Sequence, residues 1–158
     1  MSHYQATVRW QRQEDEDFLS DKYSRAHHWE FDGGTVIPAS SAPAIVPLPF
    51  SVAENVDPEE ALLASLSSCH MLFFLAFAAK SGFVVDSYRD EVSGSLSKNA
   101  RGKMAFSEIT LHPHVQFSGD KKPSADDVEK LHARSHDYCF IANSLHPDIH
   151  ISITPQEE

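Results

Sequence analysis

Two residues in this chain combine nucleophilicity with reversible redox chemistry. Cys69 and Cys139 stand 70 positions apart, each with a histidine close by in sequence, His70 and His136. Three kinds of chemistry suit such a pair. Each thiol can be a small buried hydrophobe. The two sulfurs can join two histidines around zinc, although no C-x-x-C spacing supports it. Or they can form a reactive pair, one attacking and the other resolving the oxidised product. An attacking cysteine must be a thiolate at neutral pH, which requires a cation or a helix N-terminus nearby. Cys69 lies in the middle of a helical pattern and gains little from the dipole, so the cation must come from elsewhere. Arg25 is the candidate. His112 and His114 would share one face of a strand, but with no carboxylate or cysteine at matching spacing they read as surface or core residues.

The stretch that must position Cys69 runs from Asp57 to Gly82. Asp57 is a capping residue, Pro58 suits the first helical position, and Glu59 and Glu60 fall on the positive end of the dipole. Lys80 and Gly82 supply a helix exit. Between them, Leu62, Leu63, Leu66, Met71, Phe73, Phe74, Leu75 and Phe77 point in every direction, the pattern of a membrane span or of a buried axis. A span would put Ser67-Ser68-Cys69-His70 at the bilayer midplane, without flanking basic clusters. A buried central helix is therefore expected.

Around that axis the chain reads as strand, strand, loop, helix, hairpin, helix, strand. Tyr4 to Gln13 alternates as a half-buried strand around an acidic turn at Glu14–Asp17, and Tyr23 to Phe31 reads as a second strand containing Arg25, ended by Asp32-Gly33-Gly34. Val36 to Val56 holds four prolines and reads as an extended loop of the length that walls functional sites. Phe83–Ser97 and Met104–Phe117 read as one long antiparallel hairpin turning at Lys98–Lys103. Ser124 caps a second helix to about Asp137, with Val128, Leu131 and His132 on one stripe. A short helix from Cys139 to Leu145, a strand from Ile149 to Thr154 and a frayed Gln156–Glu158 complete the chain. This order implies α+β with antiparallel sheet in a single domain over 1–158. A helix apolar all round needs more cover than one small sheet gives, so a two-fold dimer is expected.

Thirteen basic against 23 acidic residues leave a formal net charge of −10, which disfavours nucleic acid and anionic membrane surfaces as partners. Hydrophobic content of 41% is ample for a packed core. With no basic n-region and apolar run at the N-terminus, the expected compartment is the cytoplasm, where a structural disulfide does not persist.

The central stretch, Asp57-Pro58-Glu59-Glu60 followed by Ala64-Ser65-Leu66-Ser67-Ser68-Cys69-His70-Met71, resembles the family of osmotically inducible protein C and organic hydroperoxide resistance proteins. Leu131-His132-Ala133-Arg134-Ser135-His136-Asp137-Tyr138-Cys139 is similar to the family's second cysteine motif. Ser24-Arg25 falls where the family places its arginine. The resemblance implies an OsmC-like α+β fold with a long buried central helix in an intertwined homodimer. It also implies a thiol-dependent peroxidase that reduces organic hydroperoxides through a Cys69 sulfenic acid and a Cys69–Cys139 disulfide, with no cofactor or metal. On that resemblance Cys69 is the peroxidatic cysteine, Cys139 the resolving one and Glu59 the partner of Arg25, while His70 and His136 are possible supporting residues. The partners implied are an organic hydroperoxide and an external dithiol. Arg25 is followed by Ala26-His27-His28 and Ser135 replaces the usual alanine, departures that mark a less typical branch. Ten residues of helix rise about 15 Å, so Glu59 is expected to serve the cysteine of a partner chain. The alternative is a non-catalytic stress or binding protein on the same fold.

Overall fold

The computed structural model describes residues 1–155, so the frayed Gln156–Glu158 expected from sequence lie outside the described residues. The chain divides into two units, Met1–Leu62 and a second from Leu63 onward.

The first unit is a three-stranded antiparallel sheet in the order β1 (Ala6–Arg9), β2 (His27–Phe31), β3 (Val36–Ala39). Trp29 is the register point, opposite Val8 on one side and Ile37 on the other. The Asp32-Gly33-Gly34 turn forms as expected, with Gly34 at φ +86° and its N–H donating to the Phe31 carbonyl, a left-handed conformation that glycine adopts without steric cost. Two expectations need correction. The proline-rich stretch begins with a strand, β3, which tolerates Pro38 because it lies at the sheet edge where a missing N–H costs no ladder bond. Arg25 is not in a strand, because β2 starts only at His27. Residues 22–26 instead form a bend in which the Arg25 N–H donates to the Phe50 carbonyl and the Ala26 N–H to the Ser24 hydroxyl. The remaining loop to Val56 is irregular, as expected. It is pinned by the Ser40 N–H on the Val56 carbonyl (3.0 Å) and the Val52 N–H on Ser40 Oγ (2.9 Å).

The helix α1, Pro58–Lys80, starts in the first unit and continues in the second. Asp57 Oδ1 accepts the Glu60 N–H at 2.8 Å and Glu60 reaches back to the Asp57 N–H at 3.4 Å, a reciprocal cap that satisfies two otherwise unpaired donors. Gly82, at φ +78°, gives the left-handed exit.

In the second unit, β4 (Val84–Asp90) and β5 (Ser93–Lys98) return as β6 (Met104–Leu111) and β7 (Pro113–Ser118). Val84 faces Ser118 and Lys98 faces Met104, so this is the expected long hairpin, broken midway at Glu91–Val92 and His112. The break is held by Asp90, whose Oδ1 accepts the His112 N–H at 2.7 Å and whose other oxygen accepts from Ser67 on the helix. The second helix, α2 (Ala125–Tyr138), begins on a Ser124–Asp127 capping box, and a short helix, α3 (Phe140–Ser144), follows. The last strand, β8 (His150–Ile153), pairs with β6 in parallel, not antiparallel. Two helices intervene between β7 and β8, which is the kind of crossover that a parallel neighbour requires.

The core lies in this second unit. Phe74, Phe77, Ala78, Phe83 and Leu131 form one cluster and Leu66, Ile109, Leu111 and Cys139 another. The helix supplies one stripe to them, Leu66, His70, Phe74, Phe77 and Ala78. Its opposite face, including Leu72 at 60% exposure, is open within one chain. By length and composition α1 would also suffice to cross a membrane, but the buried stripe and the polar Ser67–Asp90 tie make it the expected axis of a domain.

Candidate active site

The second unit brings the two cysteines together. Cys69 is half-buried on α1 and packs against the cluster that contains Cys139, which is fully buried at the junction of α2 and α3. Both thiols are free. Junction geometry explains how Cys139 is held. α2 ends there because Cys139 is extended (φ −65°, ψ 112°), and its own Sγ then accepts the Ala142 N–H at 3.4 Å as the first turn of α3 begins. Burial pushes the Cys139 thiol up to about 11. The Ala142 N–H opposes that shift, and the neighbouring Cys69 adds to it. Cys139 is thus a protonated, solvent-shielded thiol at neutral pH, and Cys69 is the sulfur that an outside molecule can reach. The zinc alternative finds no counterpart: among the described residues, no three of His, Cys, Asp and Glu are grouped to hold a metal ion.

The first unit builds a different surface. A cavity of about 500 Å³ is lined by Trp10, Phe18, Tyr23, Arg25, Ser40 and Glu59, among others. Phe18 stacks on Tyr23 at 4.5 Å, Trp10 meets the Tyr23 edge at 5.6 Å, and the Arg25 guanidinium lies over the Tyr23 ring at 3.6 Å. The family resemblance implies Glu59 as the carboxylate on Arg25. Both line this cavity, but the ion pair that forms is with Asp21, at 3.4 Å. Arg25 Nη1 also donates to the carbonyls of Asp21 (2.9 Å) and Tyr23 (2.6 Å). These local bonds and the ring stack fix the planar guanidinium in one orientation. The aromatic residues of this cavity, and Asp21 as the carboxylate on Arg25, are what sequence reasoning missed. The clustering of Trp10, Phe18 and Tyr23 depends on a 3-10 turn at Phe18–Ser20, for which periodicity gives no signal.

His70 and His136 part company. His136 is half-buried in the last turn of α2 and acts on His70 only through its charge. His70 turns into the core, 1% exposed, with its Nε2 3.0 Å from Nδ1 of His132 and the two rings stacked nearly parallel. Burial, and then the charge of His136, lowers His70 to about 4. Burial, with His70 beside it, lowers His132 to about 3. Both imidazoles are neutral, because a proton on either would be buried beside the other ring. His132, read from sequence only as part of a helical stripe, thus ties α2 to α1 one position beyond Cys69.

A sequence model described as OsmC-like protein matches residues 52–154. Among solved structures, an OsmC-like protein of unknown function from Vibrio cholerae is 49% identical over 99% of this chain and 100% of that one, with a TM-score of 0.95. An organic hydroperoxide resistance protein from Elizabethkingia anophelis is 13% identical over 100% and 98% of the two chains, with a TM-score of 0.74. The organic hydroperoxide resistance protein OhrB of Bacillus subtilis is 16% identical over 98% of each, with a TM-score of 0.68. These last two share the fold. No curated protein matches the chain. The matched segment contains both cysteines, the capped central helix and the hairpin that packs on it, and on that ground the chain belongs to the OsmC-like protein family.

Proposed function

We propose that this protein is a cysteine-based peroxidase that reduces organic hydroperoxides in the cytoplasm as a homodimer. The observation that carries the proposal is the meeting of two sulfurs from distant parts of the chain in one cluster, Cys69 accessible and Cys139 sealed. That asymmetry suits a division between a thiol that meets substrate and one that meets only its neighbour. The Cys69 thiolate attacks the terminal peroxide oxygen, the O–O bond breaks, and the alkoxide takes a proton to leave as an alcohol. Cys69 is left as a sulfenic acid. The Cys139 sulfur displaces hydroxide from it, water departs and the disulfide forms before further oxidation. An external dithiol returns two electrons and two protons by thiol–disulfide exchange.

Arg25 is the proposed cation that holds Cys69 ionised and orients the peroxide, and Glu59 a proposed second anchor for its guanidinium. The aromatic walls around Arg25 favour an apolar hydroperoxide over hydrogen peroxide. The open face of α1 and the exposed apolar residues Leu72, Tyr138 and Phe140 support a homodimer, because contiguous exposed apolar surface normally marks an interface.

Thiol titration before and after one equivalent of cumene hydroperoxide tests this reading. Prompt loss of both thiols per chain supports it, with Cys69→Ser unreactive and Cys139→Ser oxidised once. Two thiols that survive the peroxide leave the non-catalytic binding protein as the reading of this chain.

A further inference from the structure

His132 has a polar atom that the protein does not use. Its Nδ1 is taken by His70 at 3.0 Å, whereas Nε2 is buried and has no hydrogen-bond partner among the described residues. Leaving a buried polar atom unpaired costs about 1–3 kcal/mol, so a fold that keeps one gains by supplying a partner from outside. The residue is 3% exposed and lines two adjoining cavities of about 620 and 540 Å³, which share Ala125, Val128, His132 and Pro155. Val115 and Phe117 complete an apolar wall on the larger side.

We propose that this cleft, between α2 and the strands β7 and β8, binds a small uncharged amphiphile: an apolar body carrying one hydroxyl that bonds to His132 Nε2. The proposal is independent of the peroxidase reading, since it uses neither cysteine nor Arg25. A hydroxyl is the group that fits, for a reason of tautomers. If His70 Nε2–H donates across the pair, His132 Nε2 carries a hydrogen and needs an acceptor. If His132 Nδ1–H donates, Nε2 is bare and needs a donor. A hydroxyl serves either way. An ion is disfavoured because the walls carry no net charge to meet it. Lys122 lines one cavity with its ammonium donating to the Phe117 carbonyl at 2.5 Å, and exposed Glu129 lines the other. Burial also keeps the imidazole neutral. Ser124, also on the wall, has its hydroxyl paired with Asp127 at 2.9 Å. The remaining lining is apolar, and a mostly apolar cleft with one fixed polar group is how small-molecule sites gain orientation.

The test uses the full chain with nitrogen-15-labelled histidine, titrated with phenol and with toluene as the control that lacks the hydroxyl. The expected result is a saturable shift of the His132 Nε2 resonance with phenol and none with toluene, which binds about tenfold more weakly for want of one hydrogen bond. Val128→Trp, which fills the cleft one helical turn from His132, should abolish the phenol-induced shift. His132→Phe should make phenol and toluene bind alike. A His132 Nε2 resonance unmoved by phenol up to its solubility limit overturns the proposal, as does equal phenol binding by Val128→Trp. The wild-type titration decides by itself even if a variant fails to fold.

Discussion

The sulfur-bearing and guanidinium-bearing units hold their residues by opposite means. From Leu63 onward, Cys139 is fixed by burial among Leu66, Ile109 and Leu111, and the histidine pair by enclosure against Phe74. In Met1–Leu62 the buried residues are few and small, Ala39, Ser40, Ser51 and Asp57, while Val8, Trp10 and Phe18 are exposed. Arg25 is positioned there by short-range bonds to its own bend. A sheet with so little core of its own does not hold its apolar face open without a reason. The difference teaches that one unit has a finished core, although its α1 face is open, and the other has almost none. The proposed homodimer would cover the apolar surface of both.

Four experiments break or sharpen that contrast. The largest effect belongs to the finished unit's nucleophile: Cys69→Ser should reduce peroxide turnover to the uncatalysed background in a coupled dithiol assay. Next, Phe74→Ala should lower stability by about 3–5 kcal/mol in urea unfolding, because its cavity lies in a core with no room to collapse. Val8→Ala in the open sheet should change it by no more than about 0.5 kcal/mol if that face is truly free. A cost for Val8 comparable to that of Phe74 would show that the assembled protein buries it.

Third, Arg25→Gln should slow the single-turnover oxidation of Cys69 by about tenfold at pH 7, because the proposed cation beside the sulfur is lost. A rate unchanged at pH 7 would remove Arg25 from the site. The smallest effect is in proton linkage. His70 and His132 are lowered from 6.5 to about 4 and about 3, so the unfolded chain binds protons that the folded one refuses. Their contribution to stability is present above pH 6.5 and is lost as pH falls from 6.5 through 4 towards 3. Unfolding near pH 5 should take up about two protons from this pair, and His132→Phe should leave about one. Uptake unaltered by that substitution would contradict a neutral pair.

Much of this was legible in the sequence because local rules and tertiary structure agree in it. Asp57, Glu60 and Gly82 bound α1, Ser124 and Asp127 start α2, and the alternation of Met104–Phe117 gives the hairpin. The candidate cysteines were legible because residue type and motif carry them. What was hidden depends on neighbours distant in sequence. Pro38 sits in a strand because the strand is an edge, which only the sheet order reveals. β8 is parallel because of where α2 delivers the chain. Arg25 binds Asp21 and Tyr23 because its bend closes on itself, and a strand reading of the same residues points it elsewhere. The His70–His132 bond joins residues 62 apart, and nothing local distinguishes either from an ordinary helix histidine.

The central claim is that Cys69 and Cys139 form one redox unit. The direct measurement is intact mass and peptide mapping of the full-length protein after one equivalent of cumene hydroperoxide, quenched with an alkylating agent. The account predicts an unalkylated product about 2 Da lighter than the reduced chain, with the Cys69 and Cys139 peptides linked. A Cys69 carrying added oxygen beside a freely alkylated Cys139, or both cysteines alkylated as before, would contradict it.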